Sequence, residues 1–144
     1  MMHFVPVDRG NWRTRLSVRE DQKRYVAQPA VIMARAWAYR EQRSQVMYVC
    51  DGEEIVGMIM WHDWPEGEAY ILSELMIDQR YQRKGYGRWA VEQLLNMLRA
   101  DGRYKRVVLC YVDGDEAARS LYEKCGFVRT WDDDEDELGM ALEL

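Results

Sequence analysis

The chain lacks several things, and each absence narrows what it can be. No apolar run in its 144 residues approaches the roughly 20 that span a bilayer, so no membrane span is expected. The opening Met1-Met2-His3-Phe4-Val5-Pro6 has no basic region followed by a hydrophobic stretch, and no leader is expected there. Only three cysteines occur, Cys50, Cys110 and Cys125, an odd number far apart and without metal-ligand spacing. They read as free thiols in a reducing cytoplasm, mostly buried as small apolar groups, and no metal site is expected. There is no internal repeat and no Gly/Ser linker, so residues 1–144 read as a single domain. Basic charge is in deficit: 20 Lys and Arg face 25 Asp and Glu, for a net charge of −5. Asp132 to Glu137 supplies six of those negative charges, so the rest of the chain carries +1. That balance argues against nucleic acid, which demands a basic face. It allows a cationic partner, although a solvated acidic loop explains the run equally.

What is present is an ordered alternation of patterns. Trp12 to Arg19 and Asp21 to Arg40 read as helical, with Val31, Met33 or Ala34, Trp37 and Ala38 at helical spacing and Pro29 beginning or interrupting the second segment. Val46 to Cys50 is a β-rich run closed by Asp51-Gly52, a hairpin turn, and Ile55 to Trp61 is its partner strand. Pro65-Glu66-Gly67 turns the chain into a third strand, Ala69 to Ile77. An amphipathic helix follows, from Gly85 or Tyr86 to Arg99, with Trp89, Ala90, Leu94, Met97 and Leu98 as its stripe. Arg106 to Val112 is nearly continuous in apolar residues, as buried parallel strands are. Asp115 to Lys124 is a short helix with Gly126 past its end. Phe127 to Trp131 and Leu138 to Leu144 form a closing hairpin joined by the acidic run. The fold class is therefore α/β: a mixed central sheet, antiparallel at its N-terminal side, with one right-handed parallel βαβ crossover and flanking helices.

The turn between the third strand and the amphipathic helix carries chemistry. Gln82-Arg83-Lys84-Gly85-Tyr86-Gly87-Arg88 combines glycines, which let the backbone approach a ligand, with the free N–H groups and positive dipole of a helix start. Arg83, Lys84 and Arg88 add cationic charge, and the whole suits a pyrophosphate. The Walker pattern is absent. A dinucleotide reading, G-x-G-x-x-A over Gly85 to Ala90, stays open, although six residues separate Asp78 from Gly85 where that motif follows its strand directly. The third pattern, Q/R-x-x-G-x-G/A, is matched by Gln82, Gly85 and Gly87.

Twenty-eight residues after Gly87 comes Asp115-Glu116-Ala117-Ala118-Arg119-Ser120-Leu121-Tyr122-Glu123-Lys124-Cys125-Gly126-Phe127. It resembles the closing motif N-x-x-A-x-x-L-Y-x-x-x-G-F of the GNAT acetyltransferase superfamily, and the elements stand in that family's order. Asp115 replaces the usual Asn; it can still cap the helix, while any contact made through an amide N–H₂ is lost. Leu75 to Gln82, with the Gln22 to Ala27 segment, is most similar to bacterial spermine/spermidine acetyltransferases.

The resemblance implies an acetyl-CoA-dependent N-acetyltransferase. It implies that Gln82, Arg83, Lys84, Gly85, Tyr86, Gly87 and Arg88, with Asp115 and Ala118, hold acetyl-CoA. Leu75, Met76 and Ile77 would pair with its pantetheine arm, an N–H near Met76 stabilising the oxyanion. Tyr122 is the candidate general acid, against a core aromatic; Glu74 is the candidate base, against an exposed or salt-bridged carboxylate. Strand alternation alone does not say which face Glu74 occupies. Trp61, Asp63, Trp64 and Glu66, with Glu74, combine carboxylates and aromatic faces suited to a polyamine, or form a loop with a hydrophobic anchor. His62 stands unpaired. The expected partner is a small amine, with neither nucleic acid nor membrane, and a homodimer is compatible. Other amines (an aminoglycoside, an amino acid or a protein N-terminus) and a non-catalytic acyl-CoA-binding module remain open.

Overall fold

The apolar runs form seven strands in a computed structural model that describes residues 1–144. They are β1 (Met2–Pro6), β2 (Gln45–Asp51), β3 (Glu54–Trp64), β4 (Ala69–Ile77), β5 (Arg106–Val112), β6 (Val128–Arg129) and β7 (Glu137–Glu143). Three helices accompany them: α1 (Pro29–Ala38), α2 (Tyr86–Asp101) and α3 (Glu116–Lys124). The strands make one sheet in the order β1-β2-β3-β4-β5-β7-β6. Every neighbouring pair is antiparallel except β4 and β5, whose parallel connection runs through α2.

Alternation along β3 sorts the core into two layers. Met58 and Met60 face α1, beside Leu16, Val18, Ile32, Ala36 and Met76. Ile59 and Trp61 face α2 and α3, in a larger cluster with Tyr70, Leu94, Tyr122 and Phe127. Trp61 is only 6% exposed and packs against Phe4, so it is a core residue and not the acceptor contact expected of it.

Two irregularities shape the middle of the sheet. Met60 pairs with Glu74 but Trp61 pairs with Leu72, which leaves Ser73 as an extra residue in β4. Such a bulge reverses the alternation beyond it. Leu72 lies in the α2-side core, and two residues later Glu74 avoids that core, while Leu75 packs toward it and Met76 toward α1. The second irregularity is that β4 and β5 pair only through Tyr70↔Val107 and Ile71↔Val108. Beyond those pairs the strands diverge, and clefts open on either side of β4.

The N-terminal third departs most from its sequence pattern. β1 was not foreseen, being short and interrupted by Pro6; it pairs along β2, from Met2↔Asp51 to Pro6↔Met47. Residues 12–19, expected as helix, are a turn followed by extended chain in which Leu16 and Val18 are buried at a period of two. Of the second expected helix only Pro29–Ala38 is α-helical, preceded by a single 3₁₀ turn at Glu20–Gln22. Proline explains the boundary, because Gln28 before it is extended at φ −71° and ψ 154°. The cysteines are unpaired as expected, but only Cys50 is buried and Cys110 is exposed.

Residues 12–19 are held by Asp78 at the end of β4. Its buried carboxylate accepts from Ser17 N at 2.9 Å, from Arg80 N at 2.9 Å and from Arg80 Nε at 2.8 Å. Burial alone would raise its pKa, but these bonds outweigh it and hold the group below the usual carboxylate range. A depressed folded pKa stabilises above the unfolded value, and that contribution fades as pH falls through the carboxylate range. Asp78→Ala strands the Ser17 N–H, and urea unfolding at pH 7 should show a loss of about 2–4 kcal/mol. The difference between variant and parent should shrink toward pH 3; a loss below about 0.5 kcal/mol at pH 7 would rule out the anchor.

Candidate active site

The chain leaves β4 through a 3₁₀ turn at Gln79–Tyr81 and enters α2 at Gly85. Arg83 and Gly85 both adopt left-handed backbone, at φ 62° and 83°. Glycine makes that conformation easy at the N-cap, and left-handed residues turn successive N–H groups toward one point. The first-turn N–H groups of α2 have no intrahelical acceptor and carry the positive dipole end. Gly87 lies in the first turn of α2, where a Cβ would stand in ordinary contact with Leu121 Cδ2 at 3.4 Å and Ile77 Cγ1 at 3.7 Å.

The side chains of this loop divide into occupied and free. Gln82 donates to the Ile77 carbonyl and to Gln22 Oε1, both at 2.9 Å, and so closes the loop. Tyr86 donates to Asp51 at 2.8 Å, which turns its ring toward the β2–β3 hairpin. Arg88 pairs with Glu92 at 2.8 Å. Arg83 and Lys84 are exposed and have no carboxylate partner, so the free cationic charge here is theirs.

A cleft of about 530 Å³ runs from this loop toward α3. Leu75, Met76 and Ile77 form one wall, the loop closes one end, and Asp115, Ala118 and Tyr122 lie on the other side. Lys84 stands outside the lining. Val18, Arg19, Gln22 and Val26 also border it, residues missed because their segment reads as helical. Asp115 caps α3 by accepting from Ala118 N at 3.1 Å, so the structural part of the usual asparagine's role survives. Tyr122 packs edge-on to Phe127, with ring centroids 5.8 Å apart. Its hydroxyl makes no hydrogen bond within the chain yet is not sealed from solvent. Burial pushes the phenol's pKa well above its ordinary value, with the charges of Asp115 and Glu74 adding to the effect.

A second cleft of about 840 Å³ lies across β4, over the faces of Ile71 to Glu74 and Val108 to Val112. Glu74 and Leu75 are neighbours on β4, and each lines a different cleft, so the two spaces adjoin along one strand. Glu74 is 13% exposed and forms an ion pair with Arg35 of α1. Burial raises its pKa, Arg35 draws it back, and Glu137 raises it again. Asp63 was expected to meet an acceptor, but its carboxylate is neutralised by Arg43 at 2.7 Å and Arg103 at 3.2 Å. His62 bonds the Asp63 carbonyl at 2.8 Å and stacks on Tyr39. Glu66 lines the cleft without an ion pair, and Trp64 stands at its edge, 38% exposed. From the acidic run only Glu137 reaches the lining. Asp133 instead pairs with Arg129 at 2.7 Å and accepts from Gly139 N at 3.1 Å, which makes the run chiefly a hairpin connection. Arg35 was missed because a helical pattern does not say which strand the helix covers.

The profile of the Acetyltransferase (GNAT) family matches residues 11–127, and the chain belongs to that family. Among individual relatives, a mycothiol acetyltransferase from Beutenbergia cavernae is 41% identical over 81 residues, 54% of this chain. The match spans 26% of that protein's length. In structure, the chain is similar to spermidine N-acetyltransferase from Vibrio cholerae, solved with CoA and spermine, at a TM-score of 0.77 and 16% identity over 99% of this chain and 95% of that one. The ribosomal-protein-S18-alanine N-acetyltransferase of Escherichia coli superposes at 0.73 with 20% identity, covering 99% and 94%. A Bacillus subtilis acetyltransferase in complex with CoA does so at 0.72 with 15% identity, covering 100% and 99%. At these identities the likeness is one of fold.

The raised phenol predicts a spectroscopic outcome. With ¹³Cζ-tyrosine labelling, the resonance lost in Tyr122→Phe should hold its neutral shift through pH 10, where ordinary phenols are about half ionised. A Tyr122 phenolate forming at or below pH 10 would contradict the buried, neutral hydroxyl.

Proposed function

We propose that this chain transfers the acetyl group of acetyl-CoA to a primary amine, with a polyamine such as spermidine or spermine as the preferred acceptor. The observation that carries the reading is the meeting of two clefts at β4. One ends in an anion-binding helix start and contains a free phenol; the other is open and contains a partly buried carboxylate. The lining of the first suits acetyl-CoA. Arg83 and the first N–H groups of α2 would take the pyrophosphate, and the unpaired edge of Leu75 to Ile77 would take the amide-bearing arm. Acetyl-CoA supplies an activated thioester carbonyl.

The residues around that carbonyl handle protons. The incoming amine is an ammonium in water and must lose a proton before it attacks. Glu74, raised by burial, is the base for it, directly or through water. The new C–N bond forms as the C–S bond breaks, the departing thiolate takes the Tyr122 proton, and the nitrogen, cationic after attack, sheds its second N–H proton to water. Burial that weakens the phenol as an acid also strengthens a thiolate beside it as a base, so the gap between them widens less than the phenol's own rise implies. Proton exchange with solvent then restores Glu74 and Tyr122.

Acceptor preference rests on the carboxylates left free. Glu66 and Glu137 line the open cleft without ion pairs, alongside the aromatic faces of Tyr25, Tyr39 and Trp64. Several acidic and aromatic groups around one space suit a multiply charged, flexible cation. The sequence match to mycothiol acetyltransferase supports a second reading, another amine acceptor, and Arg24 in the same lining would suit one bearing an anionic group.

Tyr122→Phe should lower kcat by about 10²–10⁴-fold while the acetyl-CoA KM changes little, as loss of a general acid does. A folded variant with near-parental kcat would remove Tyr122 from the chemistry. Thiol release across an amine panel should rank spermine and spermidine above monoamines of similar length. The paired change Glu66→Gln with Glu137→Gln should raise the polyamine KM by roughly three- to tenfold at low salt, since each exposed pair contributes about 0.2–1 kcal/mol. Equal use of monoamines would transfer the preference to the second reading.

A further inference from the structure

Arg35 is the only charged residue of α1, whose sequence is Pro-Ala-Val-Ile-Met-Ala-Arg-Ala-Trp-Ala, and Glu74 is the only charged residue of β4. The fold brings these two solitary charges into direct contact at the edge of the open cleft. Ile32 and Ala36 on either side of Arg35 are buried against the sheet, so the helix holds the guanidinium's origin in place. On β4 the bulge at Ser73 keeps Glu74 out of the α2-side core. Arg35 is 42% exposed, and an ion pair open to solvent on one side contributes little to a fold, which makes a purely structural explanation weak. We propose that Arg35 is a positioning residue for acetyl transfer, holding the Glu74 carboxylate anionic and aimed into the open cleft where the acceptor amine enters. This rests on the reading of Glu74 as the base. Arg35 acts through Glu74, and α1 thereby becomes part of the catalytic apparatus.

Of the other charges and titratable groups around Glu74, Glu137 alone acts against this. Glu137 of β7 raises its proton affinity, Tyr122 of α3 is neutral, and Cys110 of β5 and His62 of β3 border the same cleft without bonding it. Arg35 is the one cation paired with the carboxylate. Without it, burial and Glu137 act unopposed and Glu74 holds its proton to higher pH. An opposite charge at contact distance commonly lowers a carboxyl pKa by about 1–3.

The test compares kcat/KM against pH for the parent, Arg35→Met, Arg35→Lys and Glu74→Gln, with one amine throughout so that its own ionisation is common to all. Acetyl-CoA affinity by calorimetry serves as the control for folding. Arg35→Met should move the acidic limb up by roughly one pH unit or more, lose up to about tenfold activity per unit moved at pH values on that limb, and recover much of it at high pH. Arg35→Lys should restore most of the parental profile. Arg35→Met combined with Glu74→Gln should be no slower than Glu74→Gln alone. A uniform loss at every pH, or a double variant slower than Glu74→Gln, would overturn the positioning role and leave the base reading intact. If Glu74→Gln itself keeps parental turnover while binding acetyl-CoA, the base reading fails and the Arg35 inference fails with it.

Discussion

The divergence of β4 from β5 is the constraint around which the site is built. Two parallel pairs, Tyr70↔Val107 and Ile71↔Val108, hold the sheet together at its centre; past them both strands run on without pairing each other. Unpaired strand edges leave N–H and C=O groups that require partners, so the opening is a costly feature unless something extended and amide-bearing enters it. The proposed catalytic groups are arranged around that opening. The glycine loop follows the end of β4, α3 brings Tyr122 to one side, and the bulge at Ser73 directs Glu74 to the other.

Charge in and around the clefts is sorted by pairing more than by composition. Asp63 is neutralised by two arginines and Asp133, alone in the acidic run, by Arg129. The Arg43–Asp63–Arg103 group, extended through Asp101 to Tyr70, ties the end of β3 to the end of α2. It is a fastening, placed where the sheet must not open. Among the carboxylates left without ion pairs, Glu66 and Glu137 line the open cleft. A net charge of −5 is thus a poor guide to what an acceptor meets, because what matters there is which carboxylates face the cleft unpaired.

The elements with one strong local determinant were legible from sequence. Asp51-Gly52 specified a hairpin, Pro29 a helix start and the glycines before α2 a loop-to-helix turn, whereas Arg106 to Val112, expected as a buried parallel strand, alternates in burial and pairs antiparallel with β7 along its length. Tyr122 and the glycine loop were legible as a pair because their spacing reflects a single crossover unit. Residues 12–28 were not, since Leu16 and Val18 are too few apolar positions to set a period among their polar neighbours. Their backbone is fixed by Asp78, which lies 61 positions beyond Ser17. Trp61 and Trp64 are similarly indistinguishable in sequence, yet strand phase puts one in the core and leaves the other at the cleft.

Residue order alone was enough for the kind of fold, the family, the loop with its helix start, and which residue types could donate or accept protons. Those follow from local backbone preferences and from periodicity, which act over a few residues. Packing in three dimensions settled which carboxylates are free, which face Glu74 occupies, and that Arg35 is its partner. A one-residue bulge reverses a strand's alternation, and an ion pair forms between elements whose separation in sequence carries no information about distance. Such choices are made when helices and sheet pack, because only then do burial and pairing compete for the same group.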